Sequence, residues 1–287
     1  MKAGEKPGFP RFKKHRRYSS LTFKQAGWKL EGRRLRLQGI GTLKLFVSRP
    51  IEGRVKTVTV NRDRCGDWWA TFSCDDVPEH PLPKSDSEVG VDLGLEKFLA
   101  TSDGKVVTNP RCLGEAEDRL RRAQRRVSRR RKGSRRRRKA ARTLARRHRT
   151  VERARRDFHF KTALDLVRAH SMIAVEDLNV RGLSRGMLAK SVQDAGWSQF
   201  IEILRGKAEE AGREVVAVNP SGTSQVCSNC GTGPERKKSL AVRVHRCACG
   251  SSLDRDVNAA RNILARALEQ MGRAGPSASR PARKAAA

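Results

Sequence analysis

Three acidic positions and four cysteines are the residues whose types and settings can do chemistry. Asp92 stands inside an apolar run with Val89, Val91 and Leu93, and Glu176 follows Ile173, Ala174 and Val175. A carboxylate buried in such surroundings without a partner is costly. For either residue alone, the ordinary alternative is a strand-end carboxylate that caps a loop or pairs with an arginine. A third acidic cluster, Asp254-Arg255-Asp256-Val257-Asn258, makes the set one of oxygen donors drawn from separate elements. Two hard divalent cations such as Mg²⁺ require such a set, keeping waters for chemistry. Periodicity by itself does not bring the three together in space.

The cysteines form two short hooks, Cys227-Ser-Asn-Cys230-Gly231 and Cys247-Ala-Cys249-Gly250, joined by a basic stretch. Four thiolates can close a tetrahedral Zn²⁺ site, and glycine after each hook lets the backbone turn toward sulfur. The second hook has one intervening residue where two are usual, which leaves His245 as an alternative ligand. Four protein ligands leave no open position, so the site is expected to be structural. Cys65, Cys74 and Cys112 are isolated and read as small buried hydrophobes. Seven cysteines, an odd number with four in tight pairs, fit a reducing compartment and a metal site better than a disulfide framework.

Strands and helices must carry these groups. Residues 89–100 and 171–178 have the continuous apolar character of central strands. Residues 198–211 read as an amphipathic helix, with Phe200, Ile201, Leu204 and Ala208 at helical spacing. Ahead of them, residues 39–50, 54–60 and 68–73 alternate as strands of a small barrel or open sheet, and residues 78–87 resemble a linker. Residues 119–156 are dominated by arginine and lysine, with Glu152 the one acidic residue. Apolar residues are nevertheless threaded through at helical spacing: Leu120, Ala123 and Val127, then Ala141, Leu144, Ala145, His148 and Val151, continuing into Phe158, Ala163, Leu166 and Val167. Two antiparallel helices joined at Lys132-Gly133-Ser134 are expected there, in preference to a disordered tail. From Met271 the composition is that of a disordered tail.

The chain of 287 residues carries 63 Lys plus Arg against 30 Asp plus Glu, a net charge of +33. Such a surplus is self-repelling without a polyanion, and nucleic acid is the commonest one. No apolar run approaches a membrane span, and the basic N-terminus lacks the apolar region of a secretory signal. A cytoplasmic or nucleoid-associated protein without membrane partners is expected. No Walker-type loop or Rossmann fingerprint is present, and the only tyrosine, Tyr18, lies in a basic segment, which disfavours tyrosine-dependent strand transfer. Trp28, Trp68 and Trp69 are expected to pack a β-domain core more readily than to stack on nucleotides.

The ordered blocks GVDLGLEKFLA, IAVEDLNVRGL, GWSQFIEILRGKAEEAGREVVAVNPSGTSQVCSNCG and CACGSSLDRDVNAARNIL resemble the TnpB (OrfB) proteins of bacterial insertion sequences. Those are RNA-guided DNA endonucleases related to type V CRISPR effectors. The resemblance implies an α/β fold: a RuvC-like, RNase H-type domain with an arginine-rich helical insertion and a zinc ribbon, preceded by a partial β-barrel domain. The implied boundaries are an oligonucleotide-binding-type β-domain at 1–88, RuvC-like parts at 89–112, 171–222 and 253–268, a helical hairpin at 113–170, a zinc ribbon at 223–252 and a disordered tail at 269–287. It further implies Asp92, Glu176 and Asp256 as the catalytic triad holding two Mg²⁺ ions. Asp256 is chosen over Asp254 because the family's third motif reads Asp-x-Asn-Ala. Cys227, Cys230, Cys247 and Cys249 would hold Zn²⁺, with guide RNA and target DNA as partners. Relative to the family, the chain is expected to begin inside the β-domain and to lack a helical recognition part. The alternative reading is a truncated, non-cleaving RNA- or DNA-binding regulator.

Overall fold

A computed structural model describes residues 18–79, 81–234, 238–239 and 241–273. The basic segment up to residue 17, the tail from residue 274 and part of the basic stretch between the cysteine hooks lie outside the described residues. The chain divides into one unit of Met1–Pro78 and Gln124–Arg146, and another of Glu79–Ala123 and Arg147–Ala287.

The first unit contains two antiparallel three-stranded sheets. One is ordered β1 (Ser20–Lys24), β5 (Arg54–Arg62) and β6 (Trp68–Asp75); the other is β2 (Trp28–Glu31), β3 (Arg34–Leu37) and β4 (Gly41–Lys44). Alternation directs Leu35 and Leu37 of β3, and Val58 and Val60 of β5, into one shared core, with Trp28 and Phe72 packed against it. The strand expected over 39–50 is short, because the β3–β4 turn occupies 38–40 with Gly39 at φ 75°. Beyond it Phe46 is almost fully exposed. The expectation for the tryptophans holds for Trp28 alone. Trp68 and Trp69 are 62% and 45% exposed, since they sit on the last rungs of the β5–β6 ladder, opposite Arg62 and Asn61 and beyond Val58 and Val60. The Arg62 guanidinium lies 5.8 Å from the Trp68 ring centroid, and Trp69 Nε1 donates to Asp63 at 3.1 Å.

Two long helices, α1 (Cys112–Ser128) and α2 (Arg135–Ala169), realise the helical reading of the arginine run. Gly133 adopts φ 82°, a left-handed turn that glycine adopts without strain, and Ser134 Oγ caps α2 by accepting from the Arg137 amide at 3.1 Å. Arg137 Nη1 donates to the Val127 and Arg130 carbonyls at 2.9 and 3.1 Å, satisfying acceptors that the end of α1 leaves open. Arg137, within the run, is therefore structural. Ala140, rather than the expected Ala141 and His148, is buried.

The second unit is built on a five-stranded sheet ordered β11 (Glu214–Val218), β10 (Met172–Glu176), β7 (Glu88–Leu93), β8 (Lys97–Thr101) and β9 (Val106–Thr108). Strands β7, β10 and β11 are parallel, whereas β8 and β9 return antiparallel. The interior strands bury both faces, which is why their sequences are continuously apolar. Val89, Val91, Ile173 and Val175 face α5 (Trp197–Glu210) and the end of α2. Met172 and Ala174 face α6 (Arg255–Gln270) through Ile263 and Ala267. A Cβ at Gly90 would lie 2.0 Å from the Ala260 carbonyl oxygen, so α6 can lie this close to β7 only over glycine. Phe98 meets Phe158 and Phe200 edge-on at 4.8 and 5.0 Å; each such pair contributes about 0.5–1.5 kcal/mol beyond area burial. Asp194, on α4 (Ala189–Ala195), accepts from the Leu113 amide at 2.8 Å and from Arg155 at 3.1 Å, fixing the start of α1 and the middle of α2 together. Among the described residues, no helix is long and apolar enough to cross a membrane.

Candidate metal centres

Asp92 and Glu176 lie level on adjacent parallel strands, because Val91 pairs with Val175. The two-residue period that sends Val91 and Val175 to one face sends Asp92 and Glu176 to the other, the face covered by α6. Helix α6 brings the third carboxylate, Asp256, in its first turn. The three acidic segments singled out in the sequence thus converge. Burial, reinforced by the charges of Glu176 and Asp256, pushes the Asp92 carboxyl well above the usual range. Burial also raises Glu176, opposed by a 2.5 Å hydrogen bond from Thr223 Oγ1 and by Arg266. Carboxylates gathered where their own repulsion and desolvation disfavour charge have the donor chemistry of a divalent-cation site.

Asp254 behaves differently. It is the N-cap of α6, accepting from the Asp256 amide at 3.0 Å, and its other oxygen lies 2.6 Å from Lys97 Nζ. Burial would raise its pKa, but the Lys97 hydrogen bond and the helix amides outweigh that and hold it below the usual range. Lys97 also approaches Asp256, at 3.8 Å.

The four hook cysteines bring all their sulfurs within 4.8 Å of one another. Cys227 and Cys249 are 3.8 Å apart and Cys230 and Cys247 3.5 Å, close to the roughly 3.8 Å edge of a tetrahedron with Zn–S bonds of about 2.3 Å. Each hook closes with a left-handed glycine, Gly231 and Gly250 at φ 73° and 85°, whose amides donate to the carbonyl oxygens of Cys227 and Cys247. Hydrogen bonds from Thr232 lower the Cys230 thiol to about 6. At Cys247 a hydrogen bond from the Cys249 backbone lowers the pKa, but those to Cys230 and the other sulfurs outweigh it and push the thiol up to about 11. One thiolate forms readily and the next resists, a conflict that a cation at the centre removes. His245 is not a member of the cluster: its ring is buried on β12 (Val244–Arg246), with Nδ1 against Lys238. The shortened second hook therefore reaches four sulfurs without it. Of the isolated cysteines, only Cys65 is fully buried.

Side chains that the sequence did not assign a role frame both centres. Thr223 is buried and touches Glu176; Asn258 is wholly buried against the first hook; Arg255 donates to the Ser239 and Val242 carbonyls at 2.7 and 3.3 Å. Arg255 and Asn258 stand in the third acidic cluster, and Asn258 in its Asp-x-Asn-Ala motif, which was the available signal; their burial and partners come from the fold. Nothing in the local pattern marked Thr223 or Lys97.

The OrfB_IS605 family model, a probable transposase, matches residues 71–187, and the Cas12f1-like TNB domain matches residues 197–263. The putative RNA-guided DNA endonuclease InsQ of Escherichia coli (strain K12) is 33% identical over 91% of this chain and 69% of that protein. The chain belongs to the OrfB (TnpB) family. Another relative, a putative RNA-guided DNA endonuclease of Streptomyces pristinaespiralis, is 38% identical over 77% of this chain. This chain spans 56% of that relative's length. The CRISPR-associated endodeoxyribonuclease Cas12f1 of Sulfoacidibacillus thermotolerans is 36% identical over 32% of the chain and 21% of its own length. A cryo-EM structure of a Cas12f1–sgRNA–target DNA complex has a TM-score of 0.46 and 16% identity, over 85% of this chain and 66% of that one.

Proposed function

We propose that this TnpB-family chain is an RNA-guided, Mg²⁺-dependent DNA endonuclease of a transposable element, acting in the bacterial cytoplasm. The observation that carries the reading is the convergence of Asp92, Glu176 and Asp256 on the α6 face of the sheet. The strand order, with three antiparallel strands extended by two parallel ones beyond the first, supports a RuvC-like, RNase H-type domain. The two small sheets sharing one core support a partial barrel ahead of it.

Asp92, which feels the charges of both Glu176 and Asp256, would hold Mg²⁺ together with those two carboxylates. Bound there, Mg²⁺ would supply an activated water and stabilisation of the departing 3′ oxygen in phosphodiester hydrolysis. Thr223 fixes the rotamer of Glu176, and Lys97 engages Asp254. No side-chain nucleophile is required. The four sulfurs take a structural Zn²⁺. Exposed guanidinium groups along α1 and α2 supply phosphate contacts to guide RNA and target DNA, while base pairing reads sequence. Asp92→Ala, Glu176→Ala and Asp256→Ala test the reading: each is expected to abolish Mg²⁺-dependent cleavage while leaving nucleic-acid affinity close to wild type. Full cleavage by any of the three contradicts it.

A further inference from the structure

Side-chain hydrogen bonds through Asn258, Asn262 and Thr223 join the first cysteine hook to Glu176. Asn258, two residues after Asp256 on α6 and wholly buried, brackets Cys227: its Oδ1 accepts from the Ser228 amide at 2.9 Å and its Nδ2 donates to the Val226 carbonyl at 2.8 Å. One helical turn on, Asn262 Nδ2 donates to the same Val226 carbonyl at 2.8 Å and to the Thr223 carbonyl at 2.7 Å. Thr223 in turn donates through its hydroxyl to Glu176. The strand leaving the second hook, β13 (Ser252–Asp254), runs directly into Asp254 and α6. Each of these side-chain hydrogen bonds is part-buried, where such bonds are electrostatically stronger than in water.

We propose that Asn258, Asn262 and Thr223 are positioning residues that couple occupation of the four-cysteine site to divalent-cation binding at Asp92, Glu176 and Asp256. The proposal rests on the reading of those carboxylates as a cation site. With zinc in place, the 223–228 segment is fixed between sulfur and α6, so Thr223 holds Glu176 on the side of Asp92 and Asp256. With zinc removed, the hook is free to move, and Glu176 loses its fixed donor. Coupling of this kind is reciprocal: whatever factor zinc adds to cation affinity, the cation adds to zinc affinity.

The test uses the full chain and Mn²⁺ as the probe, its binding followed by electron paramagnetic resonance, with zinc release to a chromogenic chelator as the second readout. Zinc-loaded protein is expected to bind Mn²⁺ at least about fivefold more tightly than zinc-depleted protein, and saturating Mn²⁺ to tighten zinc by the same factor. Thr223→Val leaves all four sulfurs and is expected to keep full zinc while Mn²⁺ affinity falls toward the zinc-depleted value. Asn258→Ala is expected to reduce the coupling factor toward one. If zinc depletion unfolds the chain, Thr223→Val decides alone: unchanged Mn²⁺ affinity overturns the proposal. Mn²⁺ binding weakened by Asp92→Ala but indifferent to zinc and to Thr223→Val overturns the coupling and leaves the cation site standing. Absence of Mn²⁺ binding to zinc-loaded wild type overturns both.

Discussion

Lys97 and Asp254 form an ion pair at 2.6 Å beside the carboxylate cluster, and the pair removes Asp254 from the set of free metal ligands. Of the two aspartates in the third acidic motif, one oxygen of Asp254 caps α6 and the other meets Lys97, whereas Asp256 lies with Asp92. Asp256→Ala is therefore expected to abolish cleavage. Asp254→Ala is expected to retain measurable cleavage and to lower stability by about 1 kcal/mol through the lost cap, read from thermal or denaturant melts. The reverse ranking in a cleavage assay contradicts the assignment.

Stability should depend on pH through Asp92 and Glu176. Both carboxyls lie above their unfolded values, so the folded chain binds extra protons in that window. Their contribution is fully present below the unfolded carboxylate pKa and is lost as pH rises through the raised values. Without divalent cations, the melting temperature of wild type should fall relative to Asp92→Asn as pH rises through that window. Asp92→Asn should melt higher at neutral pH, at about 2–4 °C per kcal/mol, while cleaving nothing. Mg²⁺ should raise the melting temperature of wild type and leave Asp92→Asn nearly unchanged. Equal pH slopes for the two proteins would remove the repulsion that the account assigns to this site.

Elemental analysis should find about one zinc per chain. Cys227→Ser, at the buried sulfur, should lose zinc together with local order, because such knots fold with their metal. His245→Ala should keep it, since that ring lies against Lys238 outside the sulfur cluster. Zinc lost on His245→Ala and kept on Cys247→Ser would replace the four-cysteine assignment with a mixed one.

The arginines should divide into two groups. Neutralising Arg129, Arg130, Arg135 and Arg136 together should weaken binding to all nucleic-acid sequences and flatten log K against log salt, by roughly 0.9 per lost duplex phosphate contact. Arg137→Ala should lower thermal stability, because its guanidinium closes the end of α1. An unchanged salt slope in the fourfold variant contradicts a phosphate-binding role for this turn.

What was legible in the sequence follows from which forces are local. The interior strands β7 and β10 showed in their apolar runs because both faces are buried, and the hooks showed because zinc ligands need short fixed spacing. The α1–α2 turn showed through Gly133 and Ser134, whose roles are set within a few residues. Trp68 and Trp69 were misjudged because alternation gives the side of a strand and not where the opposing sheet ends. Lys97 and Thr223 were invisible because their partners, Asp254 and Glu176, are distant in sequence and meet them only through the sheet and α6.

Guided cleavage by Asp92, Glu176 and Asp256 can be read out in one assay. The direct measurement is to purify the chain with its bound RNA, sequence that RNA, and add Mg²⁺ with a DNA carrying the matching target or one mismatched in the guide-paired region. Cleavage of the matched DNA alone is expected, abolished by EDTA and by Asp92→Ala with binding retained. Tight, salt-sensitive binding with no Mg²⁺-dependent cleavage of the matched target would contradict it and leave the chain a binding protein.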